Sequence, residues 1–332
     1  MLKTRGVEDN IYSAHNRALI ELARRDDRIV SCYADFPSGE VGQIFQKEFP
    51  DRIVDVGIAE GHLISSAAGL ADAGFIPFTH CHALFAIGRG YNQIRQNVAY
   101  DNRNVKIVLC NSGVIWGGMG PSHLAIEELA ALRAIPNLVI LSPCDPVSAE
   151  KATIAAAQYV GPVILRLPAV GIPYPTLHNN NLPFEIGRAI CLRDGRDVTL
   201  IATGILVKDA LEAAEDLWRR GIEARVLDMH TIKPIDERAI LKAARDTGAI
   251  VTIEDGNILG GLGGAVAELT SEKCPIPVKR IGVKDQFGES GTFQEIKECY
   301  QLTSRYIKRA VSEVLNAKNG NKTKSKRKAS KK

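Results

Sequence analysis

The sequence has no run of about 18 apolar residues, which excludes an evident membrane-spanning helix. Its first residues, MLKTRGVEDN, lack the apolar core of a signal peptide. The expectation is therefore a cytoplasmic protein. No CxxC occurs, and the seven cysteines (Cys32, Cys81, Cys110, Cys144, Cys191, Cys274, Cys299) are widely spaced and odd in number. That pattern favours free thiols in a reducing compartment over a disulfide framework. Cys110 after KIVL and Cys191 after RAI read as small core residues. No GxGxxG follows the first strand, so the usual dinucleotide-binding turn is missing. Acid is missing from the end of the chain: AKNGNKTKSKRKASKK, after Asn316, holds eight Lys or Arg. That tail, 317–332, is expected to be disordered and solvated. It accounts for the formal charge of +4 and leaves −4 on the rest. Neither a membrane nor nucleic acid is expected as a partner.

What is present is a soluble globular mix, 45% apolar and 24% charged, in 332 residues, enough for two domains. Helical spacing runs from Ile11 to Arg25, and apolar strands are expected at Ile29–Tyr33, Ile53–Ile58, Phe75–Thr79, Val105–Cys110, Leu138–Leu141 and Val163–Leu167. Helices fall between them. The regular alternation predicts an α/β fold, a parallel sheet with helices on both faces. PAVGIPYPTLHNNNLP, with four prolines and three adjacent asparagines, marks a linker. A second, smaller doubly wound unit follows, with strands at Val198–Ala202, Ala224–Leu227, Ala249–Ile253 and 278–281. The boundaries drawn are 1–170, a linker at 171–186, 187–316, and the tail. Gly260 to Gly264 reads as close backbone packing in the second unit.

The stretch Arg52–Arg95 draws the chemistry together. Glu60 ends a strand and opens a helix of small residues (Ser65, Ser66, Ala67, Ala68, Gly69), against which something packs closely. Strand–helix junctions are where open parallel sheets bind ligands. Taken alone, Glu60 also suits the first turn of a helix, where the dipole favours an acid.

DVGIAEGH, AAGLADAGFIPF, GRGYNQIR, GPSHLAIEELAALRAIPN, TIEDGNILGGLGGAVAEL and KRIGVKDQFGESGT occur in that order. Together they resemble the transketolase family, most of all the separate C-terminal subunits of split transketolases, over about residues 8 to 316. The resemblance implies a thiamine-diphosphate pyrimidine-binding domain followed by a transketolase C-terminal domain without a catalytic role. The implied activity is transfer of a two-carbon ketol unit from a ketose to an aldehyde. The family's GDG…N signature for diphosphate and metal is missing, because in Asp255-Gly256-Asn257 the Asn is adjacent. No metal ligands are therefore expected on this chain. The resemblance implies an N-terminal partner that supplies the diphosphate site and Mg2+ or another divalent ion, within a heterotetramer.

Residue by residue, the resemblance makes Glu60 the acid against the aminopyrimidine ring, which must keep or share a proton near neutral pH. Phe85 matches an aromatic wall of that ring, with His82 where the family usually has Phe. Ile58 and Asp35 fall beside the cofactor; Asp35 is equally a turn former. His123 matches the substrate histidine, and Asn111 stands where the family has another His. Met119 stands where the family loop has an Asp that reads a substrate hydroxyl. The family's phosphate-gripping arginines fall near Tyr12 and Ala169, while Arg166 is close but within a strand. A weakened grip points to a sugar other than the ordinary pentose phosphates. Two other readings share the resemblance: the beta subunit of a 2-oxo-acid dehydrogenase, and a regulatory subunit without catalysis.

Overall fold

The computed structural model describes residues 10–34, 39–168 and 174–329. The first unit runs α1 (Ile11–Ala23), β1 (Ile29–Tyr33), α2 (Gly39–Glu48), β2 (Ile53–Asp55), α3 (Glu60–Asp72), β3 (Ile76–His82), α4 (Ala83–Gln93), β4 (Lys106–Cys110), α5 (Glu128–Arg133), β5 (Val139–Leu141), α6 (Pro146–Gln158) and β6 (Val163–Arg166). The second runs β7 (Ile190–Arg193), β8 (Val198–Ala202), α7 (Val207–Trp218), β9 (Ala224–Asp228), β10 (Thr231–Lys233), α8 (Glu237–Thr247), β11 (Ile250–Asn257), α9 (Leu262–Lys273), β12 (Val278–Val283), α10 (Phe293–Cys299) and α11 (Ser304–Ala329).

β4 shows why the first sheet forms. Every residue of KIVLC is buried, as in a strand covered on both faces. Because side chains alternate, Val108 and Cys110 join one core with Ile11 and Leu19 of α1 and Ala149 and Ala152 of α6. Ile107 and Leu109 join the other with Leu63 and Ile64 of α3 and Ala86 of α4. The sheet order is β10-β5-β6-β4-β3-β1-β2.

Two edge strands run antiparallel in otherwise parallel sheets. β10 belongs to the second half by sequence, yet pairs antiparallel with β5, Thr231 opposite Leu141 and Lys233 opposite Ile140. Lys233 Nζ then donates to the Arg133 carbonyl at 2.9 Å and to that of Ile135. The second sheet, β12-β11-β8-β9-β7, ends in β7, antiparallel to β9. Both strands are too short to show periodicity. Cys191 lies on β7 and is exposed rather than in the core, whereas Cys110 is buried.

α11 runs from Ser304 into the basic stretch, to Ala329, with Ile307, Ala310, Val311 and Val314 buried in its first half. Lys318 Nζ, already inside the basic stretch, donates to the carbonyls of Asp197 at 2.9 Å and Thr247 at 2.6 Å. The glycine cluster after β11 packs as expected. A Cβ on Gly261 would lie 1.8 Å from Glu254 Oε2. The bare backbone lets the Glu254 carboxylate accept from the N–H groups of Leu262 at 2.7 Å and Gly263 at 2.8 Å, capping α9.

A buried histidine pair joins α1, β3 and α6. His15 Nδ1 lies 2.8 Å from Thr153 Oγ1, and its Nε2 lies 3.1 Å from His80 Nε2. Burial lowers the pKa of His80 from 6.5 to about 4, and burial together with the neighbouring His80 lowers that of His15. The sign follows: the unfolded chain binds protons first, so stability is complete above 6.5 and is lost as pH falls toward 4. His80 alone accounts for about 3 kcal/mol over that window, at roughly 1.4 kcal/mol per pH unit. Denaturant titrations across the window should show a shallower pH slope in His80→Gln than in the parent chain. Equal slopes would remove the pair as the cause.

Candidate functional site

The carboxyl ends of β1, β2, β3 and β4 lie side by side on one rim of the first sheet. The connections change direction between β1 and β3, the crevice where open α/β sheets take ligands. Among the described residues, the loops leaving β2, β3 and β4 carry the candidate residues. Asp35, after β1, lies outside the described residues, as does Ala169.

Glu60 is the first residue of α3 and its side chain is 6% exposed. It is thus both a first-turn acid and a buried one. Arg89 Nη1 donates to both its oxygens, at 3.1 and 3.2 Å. Arg89 is itself 55% exposed and lays its guanidinium over the Phe85 ring, 4.7 Å from the centroid. α3 packs on α4 within the chain, and Asn97 Nδ2, in the helical turn that follows α4, donates to Ser65 Oγ at 3.1 Å. The small-residue face therefore has an intrachain partner. Ile58, two residues before Glu60, is 69% exposed.

Four rings gather beside this acid. His82 lies 4.9 Å from Phe85, 5.4 Å from Trp116 and 5.3 Å from His123, centroid to centroid. His123 stands edge-on to Phe85 at 5.3 Å and to Trp116 at 5.8 Å. His82 is also the N-cap of α4, its Nδ1 accepting from the Leu84 N–H at 3.3 Å. That bond places the ring proton on Nε2, which is buried without a partner. Burial, with His123 close by, lowers the His82 pKa to about 4, so the ring is neutral at neutral pH. His123 Nδ1 lies 2.9 Å from Ser122 Oγ.

The glycine-rich loop that brings Trp116 and His123 here leans on the second unit. A Cβ on Gly117 would lie 2.6 Å from the Gly291 carbonyl, and the Gly291 N–H donates to the Gly117 carbonyl at 3.1 Å. Met119 is 47% exposed in the loop. Asn111 sits just past β4 with φ 57° and is buried.

Arg166 is held between two buried carboxylates. Its Nε donates to Glu128 Oε1 at 2.6 Å, and its Nη1 lies 2.7 Å from Asp255 Oδ1. Burial opposes the guanidinium charge, but Asp255 and Glu128 outweigh it and raise its pKa. The same burial raises the pKa of Glu128. Tyr12, near the other expected phosphate position, is 3% exposed.

The structure therefore brings Glu60, His82, Phe85 and His123 together with Ile58 on one rim. Two further members carry no signal in the sequence. Arg89 lies within the GRGYNQIR match, and Trp116 within the glycine-rich loop; nothing in their spacing marks either.

Residues 10–170 match the family model described as the transketolase pyrimidine-binding domain, and residues 187–307 match the transketolase C-terminal domain. A 6-deoxy-6-sulfo-D-fructose transketolase subunit SqwH from Clostridium sp. (strain MSTE9) is 43% identical over 91% of this chain and 93% of its own length. An apulose-4-phosphate transketolase subunit from Phocaeicola vulgatus is 38% identical, covering 90% of this chain and 95% of that protein. Among solved structures, a split-gene transketolase described as an inactive beta4 tetramer aligns with a TM-score of 0.84 at 40% identity, over 93% of this chain and 99% of that one. No helix among the described residues is long and apolar enough to cross a membrane.

Proposed function

Because this chain belongs to the transketolase family, we propose that it is the C-terminal subunit of a split transketolase, with Glu60 as its catalytic acid. The observation that carries the reading is the buried Glu60 carboxylate beside the ring cluster. The residues fit the pyrimidine half of thiamine diphosphate. Phe85 and His82 offer ring faces, exposed Ile58 offers apolar surface, and the unpartnered Nε2–H of His82 is a donor awaiting an acceptor. When bound, the cofactor supplies the electron sink that cleavage of a ketose carbon–carbon bond requires.

This chain's own groups have limited tasks. Glu60 presents a carboxyl oxygen to a ring nitrogen and holds or passes a proton there. Arg89 fixes the Glu60 rotamer. His123 hydrogen-bonds a hydroxyl or carbonyl oxygen of the sugar, with Asn111 deeper in the fold as a second polar group. Asp35 remains a candidate for the thiazolium side. The diphosphate and its Mg2+ or other divalent ion are assigned to an N-terminal partner carrying GDG…N, and the working unit is a heterotetramer of two chains of each kind. Thiamine diphosphate that stays bound only when both chains are mixed would support this division of labour. Tight binding by this chain alone would refute it.

The sugar is proposed to be other than the ordinary pentose phosphates. Arg166 is committed to Glu128 and Asp255, and Met119 offers no hydrogen bond to a hydroxyl. Relatives named for a sulfonated deoxyketose and for apulose 4-phosphate support the same view. Each missing charge-assisted bond to a phosphate forfeits about 1.5–3 kcal/mol. The reconstituted pair should therefore turn over xylulose 5-phosphate and ribose 5-phosphate with kcat/KM at least about tenfold below that for its preferred sugars in a ketose panel. Pentose phosphates at the top of that panel would contradict the proposal. The family models and the named relatives favour this reading over a 2-oxo-acid dehydrogenase subunit.

A further inference from the structure

Away from the rim, three segments far apart in sequence meet at a buried point. Cys144 follows β5, His178 lies in the connection between the two units, and Asp228 ends β9. Cys144 Sγ lies 3.4 Å from His178 Nε2 and 3.3 Å from Asp228 Oδ2, and that nitrogen and oxygen are 2.9 Å apart. Cys144 and Asp228 are fully buried and His178 is 6% exposed.

The distribution of contacts is uneven. Both the thiol and the imidazole crowd Asp228 Oδ2, while Asp228 Oδ1 is buried with no partner. Two donors satisfying one carboxylate would ordinarily use both its oxygens. Here a sulfur, a nitrogen and an oxygen lie within 3.4 Å of one another. His230, two residues past Asp228, is also buried with its Nε2 unpartnered. Its ring is already fixed, stacked on Phe184 at 4.0 Å with Nδ1 3.0 Å from Thr231 Oγ1.

We propose that Cys144, His178 and Asp228 form a binding site for a zinc-like divalent ion that ties the connecting segment to both units. A tetrahedral zinc has bonds of about 2.3 Å to sulfur, 2.0–2.1 Å to nitrogen and 2.0–2.2 Å to oxygen, so its ligand atoms stand roughly 3.3–3.6 Å apart. The sulfur distances fall about 0.2 Å short of the spacing such a sulfur pair takes, and the nitrogen–oxygen pair must open by about half an ångström. A thiolate and a carboxylate together neutralise a divalent ion, which suits a buried site. On binding, the Cys144 sulfur releases its proton to solvent, and the proton that His178 Nε2 shares with Asp228 moves to Nδ1, so that Nε2 can offer its lone pair. Asp145 also has an oxygen within 4.8 Å of the Cys144 and His178 ligand atoms. Its two oxygens already accept from the N–H groups of Ser148, Leu177 and His178, each at 2.7 Å. Asp145 therefore holds His178 through its backbone N–H, and the fourth position is left to water. The donor set is softer than the oxygen ligands that hold magnesium, so this site is separate from the cofactor's ion.

The test uses the untagged full-length chain with exposed Cys191 and Cys299 changed to Ser, incubated with Zn2+ or Co2+ and desalted. The expected result is about one metal per chain, a sulfur-to-cobalt charge-transfer band with Co2+, and a lower thermal midpoint after chelation. Cys144→Ser and His178→Gln should each bind at least about tenfold more weakly, and Cys144→Ser should lack the band. A folded parent chain that shows no stoichiometric metal and no band overturns the site. So does a band that survives in Cys144→Ser. If that variant does not fold, the band in the parent chain decides alone. None of these readouts depends on turnover, so they stand apart from the assignment of Glu60.

Discussion

Changing Glu60 to Gln is expected to leave the chain folded and able to join its partner, while lowering turnover by about 10²–10³-fold. Gln has the same shape, and its amide oxygen can still accept from Arg89, so α3 and α4 keep their contact. What disappears is the ability of that atom to give up and regain a proton. The loss should fall on kcat, with little change in KM for the sugar, because Glu60 is proposed to meet the cofactor and not the substrate. Thiamine diphosphate binding to the pair should weaken far less than turnover. A variant that retains more than about a tenth of the parent activity would remove Glu60 from the chemistry. A variant that fails to pair would show instead that the carboxylate is needed for assembly.

The largest expected effect on stability is at Arg166. Arg166→Met leaves Glu128 and Asp255 buried, at 0% exposure each, without a cation. Removing one member of a buried ionic group costs about 3–5 kcal/mol, mostly through the charge left behind. Glu128 relieves part of this by protonating, since burial already raises its pKa. The midpoint of denaturant unfolding should therefore fall more at pH 8 than at pH 5. Adding Glu128→Gln and Asp255→Asn to Arg166→Met should recover much of the loss, because no unpaired charge then remains. A single substitution costing less than about 1 kcal/mol would mean that the group is solvated or neutral, contrary to its geometry.

The central strands and their helices are legible in the sequence because strands covered on both faces leave largely apolar runs, as in KIVLC and VTLIA. β7 and β10 are not, since edge strands of three or four residues carry no pattern and are fixed by tertiary pairing. The length of α11 is not legible in its basic end; its packed part is the apolar stretch before it, Ile307, Val311 and Val314. Glu60, Phe85 and His123 are named as candidates from motif matches, whereas Arg89 and Trp116 join them through contacts across the loop and helix that no spacing encodes. Arg166 illustrates the same limit from the other side: its type suits a phosphate, and only its burial beside two carboxylates removes it from that role.

β10 has a practical consequence for anyone dividing this protein into pieces. It is the outermost strand of the first sheet, yet lies more than forty residues past the connecting segment's end at 186. A recombinant fragment stopped at that boundary would lack β10 and leave β5 as an unpaired edge of Val139, Ile140 and Leu141. Such an edge is a template for strand addition between copies. The fragment should precipitate or form assemblies that the full-length chain does not, so the first unit is best produced with the second attached.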